Sequence, residues 1–195
     1  MNPGVLNERV EILSLESTGK TLSYYVSKNI WAKAELLNKT NYFSKVGMGV
    51  KSAKFTIRRQ EISLHNALKY RGNHYFITSI TPVLKMYLEV EAAMIEPDVC
   101  IKTSEETKLD SLNRPRLQQK TEYSFPGFIT EKYLRYTEEK GHGENEISFV
   151  VVTPKEVVMD TGKLVKIKEN YYKVINCHLL DEYKNEYEVV KTEDN

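Results

Sequence analysis

Lysine and aromatic side chains are concentrated in one segment, residues 39–54, which holds four lysines and no acid. Tyr42 and Phe43 are adjacent within it, and the basic bias continues to Arg71 with only Glu61 as an acid. Positive charge interleaved with aromatic rings is how single-stranded nucleic acids are held without sequence reading. The net charge of the whole chain is only +1, whereas dedicated nucleic-acid binders usually carry a basic balance. A transient DNA contact and a protein interface therefore both stay open. The predicted contact residues are Tyr42, Phe43, Lys45, Lys51, Lys54, Arg58 and Arg59.

Glycines, histidines and cysteines do not form a recognisable phosphate or metal motif. Gly47-Met48-Gly49 lacks the third glycine of a dinucleotide-binding turn. Cys177 and His178 are adjacent, so on a strand their side chains point to opposite faces and cannot clamp one ion. The chain has no CxxC, HxH or HExxH spacing. We predict neither a metal nor a cofactor, and we expect a core cysteine with surface histidines at positions 65, 74 and 142.

The turn-forming triplet Asp160-Thr161-Gly162 follows the hydrophobic pair Val157-Val158. This arrangement resembles the active-site turn of aspartic peptidases, in which two carboxylates share one proton because neighbouring like charges cannot both ionise. The apolar stretch leading to Gly-Arg or Gly-Asn that accompanies that turn is missing. Asp and Gly are also favoured in plain turns between strands. We predict that the chain is not an enzyme, with an Asp160-dependent peptidase as a remote alternative.

The overall composition is that of a globular protein without membrane segments. The chain has 195 residues, 41% of them hydrophobic and 28% charged, and no run approaches the ~18 apolar residues of a membrane span. Its N-terminus has no signal-peptide layout. Two cysteines cannot make a disulfide framework, which favours a reducing compartment. We expect a soluble protein that is made in a cytoplasm.

Short alternating runs predict that the fold is mostly β. In 29–37, Ile30, Ala32, Ala34 and Leu36 alternate with Trp31, Lys33 and Glu35. A hairpin is expected over 68–80, turning at Arg71-Gly72-Asn73, where Gly supplies the positive φ of a tight turn. The run 86–95 is the cleanest alternating strand. Five or six such strands before Pro97 predict a small barrel or sandwich.

The same plan recurs in the second half of the chain. HYFITSI (74–80) corresponds to YYKVINC (171–177), and YLEV (87–90) corresponds to YEVV (187–190) with a shift of three residues. Glu96-Pro97-Asp98 is a natural boundary, because Pro cannot continue a ladder. We predict two small β-barrel or sandwich domains in tandem, 1–97 and 98–195, the second a divergent duplicate. The first is expected to carry a long projecting loop or short helix.

Corresponding connections in the two halves differ in charge. The basic segment of the first half has its counterpart in 137–146, which holds one lysine. Loops of opposite sign on one subunit suit a head-to-tail ring, although two unrelated solvated loops remain an alternative. The acids of this possible complementary loop are Glu138, Glu139, Glu144 and Glu146.

Six short blocks carry a family resemblance over residues 4–90. They occur in this order: Gly4-x-Leu6-x-x-Arg9-Val10-x-Ile12; Ile30-Trp31-Ala32-x-Ala34-x-Leu36; Tyr42-Phe43; Phe55-x-Ile57-Arg58; Tyr70-x-Gly72-x-x-Tyr75-x-Ile77; and Tyr87-Leu88-Glu89-Val90. Their order and spacing resemble the head–tail joining family of tailed bacteriophages, also called head-closure or stopper proteins. The second half is not covered by this resemblance.

The resemblance implies a small β-barrel that assembles as a ring in the phage neck, between the portal or adaptor and the tail. The partners it implies are further copies of the chain, the portal or adaptor protein, a tail-terminator or tail-tube protein, and packaged DNA in non-specific contact. It also implies that 39–54 projects from the barrel toward neighbouring subunits or the DNA channel. The expected location is the virion neck, with the host cytoplasm during assembly. A tail-terminator or tail-completion ring is the closest alternative.

Overall fold

The computed structural model describes residues 3–40, 50–83, 85–109, 115–131, 148–179 and 182–192. The expected contact residues Tyr42, Phe43 and Lys45 lie outside these ranges, as does His142. The four acids of the possible complementary loop, Glu138, Glu139, Glu144 and Glu146, also lie outside them.

The described chain is almost entirely β, which confirms the predicted fold class. Its helical structure is one short 3-10 turn, Pro3–Val5. No helix in the described ranges is long and apolar enough to cross a membrane. The first six strands are β1 (Glu8–Thr18), β2 (Thr21–Thr40), β3 (Val50–Arg58), β4 (Ala67–Tyr70), β5 (Asn73–Val83) and β6 (Tyr87–Met94). The other six are β7 (Asp98–Leu109), β8 (Pro115–Glu131), β9 (Ser148–Pro154), β10 (Leu164–Ile167), β11 (Asn170–Leu179) and β12 (Lys184–Thr192).

The chain divides into two compact units. The first contains the described residues up to Glu16 and those of Ser23–Pro97, and the second contains Ser17–Leu22 and all described residues from Asp98 onward. In the first unit the strands pair in the order β1-β4-β5-β6-β3-β2, and β2 pairs with β1 to close the circuit. We call this unit the first barrel. Each described strand of this unit thus pairs on both sides, so contacts with other molecules depend on side chains and connections.

The second unit repeats that connectivity strand for strand. Its order is β7-β10-β11-β12-β9-β8, closed by the pairing of β8 with β7, and we call it the second barrel. The hairpin registers also match at an offset of 97 residues: Tyr75 faces Met94 in the first barrel, and Tyr172 faces Lys191 in the second. Two barrels with the same strand order and register are what a tandem duplication produces.

An irregularity in the ladder recurs at the same place in both barrels. The register shifts between Ile77 and Ser79 in the first barrel and between Val174 and Asn176 in the second. Bulges change the direction of side chains and are retained as features of a fold. Because both barrels have one at the same place, the bulges fix how the sequence of one barrel aligns with that of the other. The three-residue shift expected between YLEV and YEVV is therefore wrong, because β12 keeps the 97-residue offset from Lys184 onward.

Aromatic and aliphatic side chains fill the first barrel. Phe55 is fully buried, and its ring lies 5.5 Å from each of the rings of Tyr70 and Tyr75, in edge-to-face geometry. Burial raises the pKa of both tyrosines. The hairpin turns at Arg71-Gly72, where φ is +51° and +81°, as the glycine predicted. The rest of the buried cluster consists of aliphatic side chains from all six strands: Val10, Ile12, Ile30, Ala32, Ala53, Ile57, Leu68, Ile77, Leu88, Val90 and Ala92.

Two expectations about exposure are wrong. The alternation in β2 holds for Ile30 and Ala32, which are buried, but Leu36 at its far end is 71% exposed. His74, expected at the surface, is buried, and its Nδ1 lies 3.1 Å from the carbonyl oxygen of Ile95. Its ring packs at 5.1 Å from that of Phe76. The aromatic neighbours cover the imidazole, which a local sequence pattern does not reveal.

Candidate binding groove beside Trp31

The basic segment is largely strand where the structure describes it. Strand β2 continues to Thr40 and β3 begins at Val50, and the two pair in antiparallel register as Leu37 with Ser52 and Thr40 with Val50. The expected loop or helix over 39–54 is thus wrong for residues 39–40 and 50–54, which are strand, and residues 41–49 lie outside the described ranges. Of the predicted contact residues, Lys51, Lys54 and Arg58 lie on β3 and Arg59 follows it.

These four cations do not share one surface. The Nζ of Lys54 lies 3.4 Å from a carboxylate oxygen of Glu89, and both side chains are about 30% exposed (29% and 31%). Lys51 and Arg58 are seven residues apart, which is roughly 23 Å along a strand. The structure therefore separates one basic end of β3 from the other. Each end belongs to a different groove.

At the Arg58 end, period-two alternation places an indole on the outside of the barrel. Ile30 and Ala32 point inward and are buried, so Trp31 between them points outward and is 61% exposed. Ala32 pairs with Ile57, which brings Trp31 and Arg58 to neighbouring positions on the outer face. Arg59 is held next to them because its backbone N–H donates to the Met86 carbonyl at 2.8 Å.

These side chains line a groove of about 490 Å³, which we call the Trp31 groove. The apolar residues Leu6 and Ile30 border the groove, and each is only 8% exposed. Its full lining is Leu6, Lys28, Ile30, Trp31, Arg58, Arg59 and Gln60. Three of these side chains are cationic and none is acidic. Lys28 was not singled out by the sequence, because it stands outside the basic segment.

The three cations of the Trp31 groove have no ion-pair partner within the part of the chain that the structure describes. Guanidinium groups present several N–H donors in a fixed fork that matches carboxylates and phosphates. An exposed indole beside them offers a flat apolar face for stacking or for a buried contact. The groove is therefore suited to an anionic ligand that also brings an apolar or planar group.

The Lys51 end of β3 borders a second groove, of about 440 Å³ and more apolar. Leu36 and Leu37 are its most exposed apolar side chains. Its one further cation, Arg71, lies 3.1 Å from a carboxylate oxygen of Glu8 and is thereby partly neutralised. The lining is Leu36, Leu37, Lys51, Ser52, Tyr70, Arg71, Asn73, Tyr75 and Met94. This groove carries little net charge and favours apolar contacts.

The second barrel provides an internal comparison for the Trp31 groove. Phe55 on β3 faces Val90, and Val151 on β9 faces Tyr187, which lies 97 residues after Val90. Phe55 and Val151 therefore occupy equivalent positions in the two barrels. Counting along the paired strands places Pro126 at the position of Trp31 and Pro154 at that of Arg58. Both prolines are buried. The same barrel therefore forms without an outward indole and guanidinium, and these two side chains are not requirements of the fold.

The Asp160 turn is well defined. The backbone N–H of Lys163 donates to the Asp160 carbonyl at 3.2 Å, and Gly162 has φ +86°, which is the geometry of a type II turn. The N–H of Gly162 donates to the Val174 carbonyl at 2.7 Å, which ties the turn to β11. The Asp160 side chain is exposed. Within the described residues, no group of three or more His, Cys, Asp and Glu side chains is placed to hold a metal ion.

The structure buries one of the two cysteines and exposes the other. Cys100 is the buried one, and burial raises the pKa of its thiol to about 12, whereas Cys177 is exposed. Gly127 on β8 makes room for Cys100, because a Cβ at Gly127 would lie 2.7 Å from the Cys100 Sγ. The buried thiol is thus a packing element of the second barrel.

Comparisons with family models, curated protein sequences and solved structures each find no match for this chain.

Proposed function

We propose that this chain is a structural protein of the neck of a tailed bacteriophage, a ring-forming head–tail connector or stopper. Its role would be to join the portal or adaptor to the tail and to help retain or pass the packaged DNA. Association with other proteins, without a chemical reaction, would carry out that role. Further copies of the chain, the portal or adaptor, and the tail-terminator or tail-tube protein are the proposed partners.

One observation carries the proposal. The blocks that resemble the head–tail joining family, from Leu6 to Val90, supply most of the core of a single closed barrel, and the long strands β2 and β3 of that barrel flank residues 41–49 in the sequence. A closed barrel has no free sheet edge, so ring formation would use grooves and projecting segments. The Trp31 groove is such a surface, since Trp and Arg dominate the energetic centres of protein interfaces.

Removing the gene from the phage that encodes the chain tests this function. Loss of a connector should give DNA-filled heads that leak or fail to join tails, and supplying the chain in trans should restore joined particles. Density for the chain at the portal side would support the connector. Density that caps the tail tube would favour the tail-terminator alternative, and particles that join normally without the chain would contradict both.

The duplicated barrel makes a further expectation measurable. If both barrels occupy positions in the ring, fewer subunits should build a neck of a given circumference. Mass measurement of the assembled ring, isolated or in the virion, gives the copy number. A copy number equal to that of single-barrel connectors would contradict this expectation, while leaving the neck location intact.

A single-stranded nucleic-acid binder is the second candidate, favoured by the exposed Trp31 beside Lys28, Arg58 and Arg59. Such binding should weaken steeply as salt is added, because phosphate contacts release counterions. A titration with a short oligothymidylate at several salt concentrations tests it. Absent binding, or binding that salt does not change, would remove this candidate.

A further inference from the structure

The charge in the Trp31 groove is compact and uncompensated. Lys28, Arg58 and Arg59 place three positive charges in the groove that the Trp31 indole lines. Like charges so close repel one another, and an anionic ligand that neutralises them stabilises the groove. Pro154, which is buried at the position equivalent to Arg58 in the second barrel, indicates that the fold does not require the charge of Arg58. We therefore expect the groove to bind an anionic ligand.

The distribution of charge favours carboxylates of a peptide over a nucleic-acid strand. Grooves that hold single strands follow the backbone over several nucleotides, with successive aromatic rings for successive bases. The described groove has one aromatic ring, and the remaining cations of β3 do not extend it: Lys54 pairs with Glu89, and Lys51 lies in the apolar groove at the other end. A short acidic segment fits a short basic groove.

The chain itself supplies a segment of that chemistry. Residues 137–146, in the connection between β8 and β9, contain four glutamates and one lysine, a balance of −3 against the +3 of the groove. Ten residues span at most about 33 Å when extended, enough to lie along a groove of this size. The segment belongs to the second half of the chain and the groove to the first.

We propose that the Trp31 groove of one copy receives the acidic segment 137–146 of a second copy. This contact is heterologous, because a surface of the first barrel meets a segment that connects two strands of the second barrel in the sequence. Heterologous contacts repeat head to tail and close into rings when the rotation allows. The inference rests on the proposed ring-forming function and names the contact that would build the ring.

The only tryptophan of the chain lies in the groove, so its fluorescence reports directly on occupancy. The full chain is titrated with a synthetic peptide of residues 137–146. We expect a saturable blue shift of the emission, which weakens from about 0.01 M to about 1 M salt as the Debye length falls from ~30 Å to ~3 Å. The double variant Arg58→Glu/Arg59→Glu should lose at least tenfold in affinity, and a peptide with its four glutamates changed to lysine should bind that variant instead.

The matched control is Lys51→Glu, which changes the same charge on β3 in the other groove and should leave the titration unchanged. Loss of binding in this control would show a general charge effect and overturn the proposal. A short oligothymidylate that shifts the emission when the peptide does not would assign the groove to nucleic acid. A third outcome is an emission that is already blue-shifted at every dilution and that shifts to the red when the charges of 137–146 are reversed in the same chain. This outcome would place the contact within one copy and overturn the head-to-tail contact.

The peptide titration can fail or succeed independently of the gene-deletion test of the proposed function. Peptide binding in solution can fail while the gene deletion still yields heads without tails, in which case the ring uses another contact. The reverse result, peptide binding with normal joining of particles lacking the chain, would keep the contact and remove the neck role. A reciprocal charge swap tests the contact in the full chain. Copies with Arg58→Glu/Arg59→Glu are mixed with copies in which the four glutamates of 137–146 are changed to lysine. The mixture should associate, whereas neither variant should associate alone.

Discussion

Replacing Trp31 with alanine separates a binding side chain from a core side chain. The indole is 61% exposed, so roughly two fifths of a surface of about 250 Å², or about 100 Å², is shielded from water. At ~25 cal/mol per Å² this shielding contributes about 2.5 kcal/mol. Real unfolded chains already bury part of their apolar surface, which reduces the figure to about 1.5–2 kcal/mol. A buried tryptophan would instead cost ~3–5 kcal/mol on truncation.

Phe55→Ala is the matched comparison, because Phe55 is fully buried and lies on the strand that pairs with the Trp31 strand. We expect that substitution to cost ~3–5 kcal/mol. The free energy of unfolding of both variants is measured by far-UV circular dichroism across a urea titration. Tryptophan fluorescence cannot serve for both, because Trp31→Ala removes the fluorophore. Trp31→Ala should keep a native spectrum and lose particle assembly. Equal destabilisation by the two substitutions would refute the outward position of the indole, and normal titres would refute its role in contact.

Three further variants test other parts of the structure. Gly127→Ala should lower the free energy of unfolding in urea by ~1–3 kcal/mol, because the new Cβ would lie 2.7 Å from the Cys100 Sγ. Adding Cys100→Ala should recover most of that loss. No recovery would contradict the clash. Burial lowers the pKa of His74, so the unfolded chain takes up the proton more readily, and the free energy of unfolding should fall as pH drops below about 6.5. His74→Gln should flatten that dependence, and a dependence that the substitution leaves unchanged would refute the assignment. Asp160→Asn should leave a generic peptide substrate uncleaved, like the parent chain, at mildly acidic pH, and activity lost on mutation would revive the peptidase alternative.

Local patterns predicted the local features correctly. The glycine of Arg71-Gly72 indicated the β4–β5 hairpin, because few other residues adopt positive φ without strain. Alternation around Ile30 and Ala32 already placed Trp31 on the opposite face. The resemblance of HYFITSI to YYKVINC located β5 and β11 at the offset that the ladders show. These signals depend on a few neighbouring residues, and a sequence presents neighbours directly.

Long-range pairing decided what those patterns left open. Tyr87-Leu88-Glu89-Val90 and Tyr187-Glu188-Val189-Val190 look alike, yet cross-strand register aligns β6 with β12 three residues earlier. His74 became a core residue because aromatic neighbours cover it.

The sequence by itself determined a β-rich chain with a duplicated plan and a basic, aromatic first half. Only the tertiary structure decided that the cations of β3 belong to two separate grooves and that Lys28, outside the basic segment, joins Trp31, Arg58 and Arg59 in one of them. The physical reason is that closing a sheet into a barrel brings together residues that are distant along the chain. The extended backbone of β3 holds Lys51 and Arg58 roughly 23 Å apart, and the pairing of the strands decides which of the two lies beside Lys28.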